Sequence, residues 1–303
     1  MNTQIINVPI DAEAAARSLD LHADFRVLRR MREMDRPPNP SNRNVGRVGM
    51  AIDVETTGLD PNRHEVIELA MQRFRIDDAG FVIEVGKPRG WLEQPSVPIP
   101  PEIERITGLT DADVAGRTIH DGEATSMIKD VDFVVAHNAS FDRPFVETRL
   151  PLASGVPWVC TLADIDWRSL GYEDRTLSGL LARMGLFFTA HRAQTDVTAL
   201  LHLLDHMTRG SDRTIAALAV DQAAKPSAII DAIGAPFSAR TMLRERGYRW
   251  YQARRTWSIE IAESRMEQEC GWLTQHVYGG RGKPDVRTVD WKSRYSQNLT
   301  RSS

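Results

Sequence analysis

Apolar residues between positions 11 and 34 recur at helical spacing: Ala14, Ala15 and Leu19, then Phe25, Leu28 and Met31. Asp11 precedes them as an N-cap, so the pattern predicts one helix over 11–34. Pro37, Pro38 and Pro40 stop it, and 37–44 reads as a linker. From 46 the pattern becomes strand-like. Residues 46–55 end in Met-Ala-Ile-Asp-Val-Glu, 65–76 carry Val66, Ile67, Leu69, Met71 and Phe74, and 81–85 form a third strand after the turn residues Asp78, Ala79 and Gly80. A short helix falls in the Pro-punctuated stretch 99–110, and another over 123–130. The continuous apolar run 131–136 suits a buried strand. Helices are predicted over 143–150, 177–184 and 196–208, the last with an apolar face of Val197, Leu200, Leu201, Leu203, Leu204 and Met207. Strands followed by helices around a buried strand predict an α/β architecture on a mixed sheet.

A second unit follows a helical connector at 210–225. It reads as a strand at 229–233, a helix at 239–246 ended by Gly247, a hairpin of 248–251 and 256–261 around 252–255, and a closing helix at 263–277. This is a small β-α-β-β-α domain. The expected organisation is therefore a helical extension with linker (1–45), a main domain (46–208), a connector (209–227), a small module (228–279) and a weakly structured basic tail (280–303).

The chain has 303 residues, 42% hydrophobic and 26% charged, which fits an ordinary soluble globular protein of about two domains. No run of ~18 apolar residues is present, so no membrane partner is expected. The N-terminal stretch has neither the basic start nor the apolar core of a signal peptide. Cys160 and Cys270 are the two cysteines and lack zinc spacing, which fits a cytoplasmic location. The net charge of −3 conceals an asymmetry. Residues 46–208 hold 15 Lys and Arg against 25 Asp and Glu, a net of −10, whereas 240–303 hold 13 against 7, a net of +6. A basic end on an acidic body points to a polyanionic partner, although scattered arginine gives the same count.

Three groups of residues carry candidate chemistry. In a strand, positions i and i+2 share a face, so Asp53 and Glu55 present two carboxylates side by side, followed by the tight turn of Thr56-Thr57-Gly58. Adjacent anions repel unless a cation joins them, and hard divalent ions take carboxylate oxygens; an Asp-x-Glu on an ordinary surface is the plainer reading. His137-Asn138-Ala139-Ser140-Phe141-Asp142 directly follows the buried strand, where α/β sheets place their sites; an Asn turn and an Asp N-cap would also explain it. His191 precedes Asp196 by five positions, at the start of the last helix of the main domain, where capping alone could account for the aspartate.

Together, the order Asp53-x-Glu55, Asp142, His191-x4-Asp196 resembles the DEDDh, DnaQ-like 3'–5' exonucleases, the family of the proofreading epsilon subunit of bacterial DNA polymerase III. The resemblance covers about 46–208 and includes Asn138 and Phe145 around the middle aspartate and the segment from Ile99 to Thr110. It implies a ribonuclease-H-like mixed sheet flanked by helices, and two divalent cations, Mg2+ or Mn2+. Asp53 would bridge both ions, Glu55 and Asp196 would complete the first site, and Asp142 would act on the second. His191 would be the general base, its ordinary pKa of ~6.5 suiting that task, with His137 the next candidate. Thr56 and Thr57 would contact the terminal nucleotide through backbone or hydroxyl, Leu59 would wedge between the last two bases, and Asn138 and Phe141 would line the groove. The implied reaction is phosphodiester hydrolysis at single-stranded 3' ends, DNA before RNA, releasing nucleoside 5'-monophosphates. An exoribonuclease and a polymerase-bound proofreading subunit are the alternatives; no Gln-x-x-Leu-Phe clamp peptide is present.

The second unit resembles a module appended to some bacterial stand-alone exonucleases, through Ala235-Pro236-Phe237, Arg246-Gly247-Tyr248-Arg249-Trp250 and Trp257. Trp250, Trp257, Trp272, Trp291, Tyr248, Tyr251, Tyr278 and Tyr295 all fall in this basic end. Aromatics among arginines suit single-strand binding, with Arg249, Arg254 and Arg255 as solvent-facing contacts; a Trp250–Trp257 pair packed across the hairpin is the alternative for those two. On this reading, truncation near Lys225 leaves an active exonuclease with a higher KM on long strands and a flatter salt dependence.

Overall fold

A computed structural model describes residues 11–208, 212–252 and 254–296. The expectations for 1–10, 209–211, Ala253 and 297–303 lie outside these residues. Helix α1 (Ala12–Asp20) starts where expected, with the Asp11 carboxylate accepting from the backbone N–H groups of Glu13 and Ala14. It ends at Asp20 rather than at 34. No residue of α1 is buried, so little packing supports extension of this short helix. The backbone beyond it is taken up elsewhere, because β1 (Arg29–Arg30) pairs in parallel with a strand at Leu186–Phe187.

The main domain follows in the order β2 (Arg47–Thr56), β3 (Val66–Ile76), β4 (Val82–Val85), β5 (Arg89–Leu92), α2 (Pro101–Thr107), α3 (Asp111–Val114), α4 (Asp121–Lys129), β6 (Phe133–Ala136), α5 (Ala139–Arg149), β7 (Trp158–Cys160), α6 (Leu177–Arg183), β8 (Leu186–Phe187) and α7 (Ala193–Leu204). The sheet order is β4-β3-β2-β6-β7, with β5 also on β3. The β2–β3 pair is antiparallel, whereas β2–β6 and β6–β7 are parallel, so the sheet is mixed as expected. Strand alternation sorts the core. Ala51, Ala70 and Phe74 face α6 and α7, while Met50, Ile52 and Val54 face the side of α4 and α5.

Several boundaries differ from the pattern reading. Helix α5 begins at Ala139 with Asn138 as N-cap, so Asp142 lies inside its first turn instead of capping a helix at 143. Helix α7 begins at Ala193, three residues before Asp196. Strands β5 and β7 are only four and three residues long and carry no clear alternation. The connector contains α8 (Ile215–Ala223), whose Ile215, Ala216, Ala219, Val220 and Ala223 are buried in the same core as α7; this helix belongs to the main domain's packing.

The small domain contains β9 (Ser227–Ala232), α9 (Arg240–Glu245), β10 (Arg249–Tyr251), β11 (Thr256–Ala262), α10 (Met266–His276) and β12 (Asp285–Val289). Its antiparallel sheet has the order β10-β11-β9-β12. The tail is thus structured where a weakly ordered segment is expected: 285–289 pairs with β9, and 290–296 returns to the main domain, where the Trp158 N–H donates to the Trp291 carbonyl at 2.7 Å.

Candidate active site

Strand β2 projects Ala51, Asp53 and Glu55 to one face, so the two carboxylates arrive together at the strand's C-terminal end. Helix α7 packs over that face and brings Asp196, whose side chain reaches back to accept from the Arg192 N–H at 3.1 Å. One carboxylate oxygen from each of Asp53, Glu55 and Asp196 lies within 4.8 Å of the others. From the opposite side of the sheet, the first turn of α5 supplies Asp142, which accepts from the Val54 N–H at 3.2 Å. These four carboxylates line one open cavity of about 580 Å³ together with His191, Asn138 and Phe141.

Burial and mutual repulsion both raise the acids. Asp53 is pushed well above the usual carboxylate range, first by burial and then by Asp142, Asp196, Glu55 and Glu68. Burial, with Asp196 and Glu68 next, raises Glu55 to about 8. Asp142 rises to about 7, burial outweighing two backbone N–H donors, and Asp196 to about 6 by burial despite N–H donors and neighbouring His191. Such a cluster is unfavourable as four bare anions and favourable around a divalent cation. The donors are all hard oxygens, which fits Mg2+ or Mn2+ and excludes a soft-metal site.

His191 lines the cavity with φ of 68°, a left-handed backbone that is uncommon outside glycine and that histidine adopts more readily than most residues. His137 also lines the cavity, but its ring is tied at both ends. Nε2 faces the Arg175 carbonyl at 2.9 Å and must donate to it, which leaves Nδ1 to accept from the Thr161 hydroxyl at 2.9 Å. Burial holds His137 down to about 4. It is a neutral structural histidine, and the sequence-based choice of it as a substitute base is corrected accordingly.

The expected nucleotide contacts divide. Asn138 and Phe141 line the cavity. Thr56 and Thr57 are buried and their hydroxyls are committed to the turn, Thr56 donating to the Gly58 carbonyl at 2.6 Å and Thr57 accepting from the Glu65 N–H at 3.0 Å. Each hydroxyl thus builds the turn with one of its hydrogen bonds, and the expected contact of these threonines with a nucleotide through backbone or hydroxyl stays a proposal. Leu59 follows the turn and is 84% exposed.

Glu68 escapes pattern reading. It lies directly opposite Glu55 in the β2–β3 register, is 3% exposed, and accepts from the Ala193 N–H at 3.2 Å and Arg192 Nε at 3.4 Å. Its one signal is a carboxylate, in step with Gln72, inside an apolar run. Arg175 and Phe188 also line the cavity without any distinguishing sequence pattern.

Residues 50–204 match the family model described as "Exonuclease" (RNase_T). The chain belongs to this exonuclease family. With the order of its acidic residues, it is a DnaQ-like 3'–5' exonuclease. Among curated proteins it is similar to the DNA polymerase III subunit epsilon of Treponema pallidum, 29% identical over 170 residues that cover 52% of this chain and 74% of that protein. It is also similar to the PolC-type DNA polymerase III of Thermotoga maritima, 30% identical over 164 residues, 51% of this chain but only 11% of that protein. Among solved structures, exonuclease X in complex with 5' overhanging duplex DNA aligns at 25% identity and a TM-score of 0.42, covering 57% of this chain and 99% of that one. Among the described residues, no helix is long and apolar enough to cross a membrane.

In the small domain of this exonuclease, Trp250 and Trp257 are directly opposite each other and meet edge-to-face at 5.8 Å between ring centroids. Trp257 packs into the small core while Trp250 stays 48% exposed. Arg249 and Arg255 are exposed. Arg254 is not a solvent-facing contact: it is largely covered and ion-paired at 2.8 Å to Asp231, which is fully buried.

Proposed function

We propose that the enzyme hydrolyses phosphodiester bonds at single-stranded 3' ends, DNA in preference to RNA, and releases nucleoside 5'-monophosphates. The observation that carries this reading is the convergence of Asp53, Glu55, Asp142 and Asp196 with His191 in one open cavity. The DNA preference is supported by relatives named as a DNA polymerase III subunit and a PolC-type DNA polymerase III. Asp53, Glu55, Asp142 and Asp196 would hold two divalent cations, Mg2+ or Mn2+, which would neutralise charge on the scissile phosphate and acidify the attacking water. His191 takes the proton from that water, and its exposed position leaves it free to pass the proton to solvent. Asn138 and Phe141 form the wall that receives the terminal nucleotide. Leu59, with its exposed side chain after the turn, is the wedge against the penultimate base. The small domain holds the strand farther from the end, through Arg249, Arg255 and exposed Trp250.

Degradation of matched 5'-labelled DNA and RNA oligonucleotides, single-stranded and duplex, with Mg2+, Mn2+ or EDTA tests the reading. Stepwise shortening of single-stranded DNA from the 3' end, lost in EDTA, is expected. Faster loss of RNA would move the assignment to an exoribonuclease, and metal-independent cleavage would overturn the site.

A further inference from the structure

Residues 26–36 lie outside the span matched by the family, 50–204, yet they touch both sides of the segment that carries His191. On the N-terminal side, the Arg26 guanidinium donates to the Ala182 carbonyl at 3.0 Å and also to that of Arg183, at the C-terminal end of α6. The Arg29 N–H donates to the Gly185 carbonyl at 2.8 Å and the Met31 N–H to that of Phe187 at 2.9 Å, closing the β1–β8 pair. The Arg30 guanidinium lies 5.2 Å from the Phe187 ring centroid. On the C-terminal side, His202 of α7 bonds the Arg32 carbonyl at 2.7 Å, and Arg36 grips Asp205, the C-cap of α7, with two bonds of 2.8 Å. Between these anchors runs the short loop 188–192, in which Phe188, Ala190 and His191 line the cavity.

A two-residue strand such as β8 has little stability of its own, and the left-handed backbone of His191 is one that neighbouring structure helps to hold. We propose that residues 26–36 are a brace whose task is to position His191 over the carboxylate cluster. Arg26 and the backbone of Arg29 and Met31 are positioning groups; none touches the cavity. The brace fixes the strand four residues ahead of His191 and, through His202 and Asp205, the far end of the helix that starts two residues after it, so the loop runs between two held elements.

The proposal rests on His191 acting as the base, and a double-mutant cycle separates the two. The variants are Arg26→Ala/Met31→Pro, which removes the arginine anchor and the N–H donor to Phe187, His191→Ala, and their combination, with kcat and KM measured on a short DNA oligonucleotide. We expect the brace variant to lower kcat about ten- to a hundredfold, with KM within about twofold. In the His191→Ala background the same changes should have almost no further effect, because the group being positioned is gone. An equal fall in both backgrounds would mean that the brace serves general stability, and an unchanged kcat in the wild-type background would mean that it does not position the loop; either result overturns the proposal while leaving the assignment of His191 intact. A His191→Ala enzyme with wild-type kcat would instead remove the base assignment and the brace with it. If Met31→Pro lowers the Tm, Arg26→Ala alone carries the cycle, since the loss of an exposed side chain leaves the β1–β8 backbone bonds in place.

Discussion

Arg143 donates to the backbone carbonyl of Arg294 at 2.7 Å across 151 positions of sequence. It follows Asp142 directly and is 1% exposed, so helix α5 offers its carboxylate to the cavity and buries a guanidinium behind it. That guanidinium also meets the carbonyls of Trp291 and Lys292 and pairs with Glu147 at 2.8 Å. Arg294, itself 6% exposed, donates to the carbonyls of Ala223 and Lys225 and pairs with Glu260 of β11. Two buried arginines therefore tie the helix bearing Asp142 to the small domain through the segment 290–296.

This latch reverses the expected outcome of truncation. Ending the chain near Lys225, or after Val289, strips the Arg143 guanidinium of its carbonyl acceptors. The guanidinium keeps its pair with Glu147 but loses hydrogen bonds worth about 1.5–3 kcal/mol, which in a domain of this size lowers the Tm by about 5 °C. Differential scanning fluorimetry of the chain ended after Val289 should show that loss together with reduced kcat. A truncated enzyme with unchanged Tm and kcat would show that the latch is dispensable.

Asp53→Asn should abolish turnover and yet stabilise the metal-free protein. The substitution removes one of four carboxylates that burial and mutual repulsion hold above their ordinary pKa, so the fold loses a source of repulsion as the site loses a ligand. Without metal, the Tm of the variant should exceed that of the wild type at pH 8, and added Mg2+ should raise it less. A lower metal-free Tm would argue against repulsion in the cluster.

The site is legible in sequence because its chemistry is local. Asp53 and Glu55 share a face by strand alternation alone, and His191 and Asp196 flank one helix start. What pattern reading misses is set by distant partners. The stretch after Asp20 has helical spacing, but its backbone bonds go to Gly185 and Phe187. The tail looks like a solvated basic run, but its alternating Val286 and Arg287 meet Ile230 and Ile229 of β9, and its carbonyls accept from a guanidinium 148 to 151 positions away. Arg254 has the sequence context of a nucleic-acid contact, and only the fold sets it beside buried Asp231.

Stabilisation by metal should grow as the pH rises from about 6.5 to 8. Carboxylates whose pKa is raised in the folded state bind protons that the unfolded chain has released, so metal-free stability falls as pH climbs from the unfolded value near 4 through the folded values. Those values are about 6 for Asp196, about 7 for Asp142 and about 8 for Glu55. A divalent cation must displace the same protons, and its added Tm therefore increases over this window. His137, held down to about 4, gives the opposite slope below pH 6.5, so the comparison is made above that pH. A metal-induced shift that is flat between pH 6.5 and 8 would count against the raised acids.

The two histidines should separate cleanly. His191→Ala should lower kcat by ~10²–10⁴ and leave binding of a single-stranded oligonucleotide within about twofold. His137→Ala removes hydrogen bonds to Thr161 and the Arg175 carbonyl, and should cost about 1–3 kcal/mol of stability. Restoring the temperature margin, by assaying well below the Tm, should recover most of the activity of the His137 variant but none of that lost in the His191 variant. Recovery in both would leave His191 without a chemical role.

Glu68 offers two effects that substitution can separate. As a charge, it stands opposite Glu55 and helps hold that acid up at about 8. As an acceptor, it takes the N–H of Ala193 and so fixes the first turn of α7, the turn that carries Asp196. Glu68→Gln keeps a carbonyl oxygen for Ala193 and removes the charge, so Glu55 should ionise at lower pH and the pH midpoint for metal-induced stabilisation should move to the acid side. Its kcat at saturating metal should stay within about threefold of wild type, a loss of under ~1 kcal/mol. Glu68→Ala removes the charge and the acceptor together, leaving a buried N–H without its partner at a cost of about 1–3 kcal/mol. It should show the same acid shift with a further fall in kcat of about tenfold or more, because the turn bearing Asp196 loses its anchor. If the glutamine and alanine variants had the same kcat, the bond to Ala193 would play no part in placing Asp196; if neither moved the midpoint, the repulsion between Glu68 and Glu55 would be screened at the site.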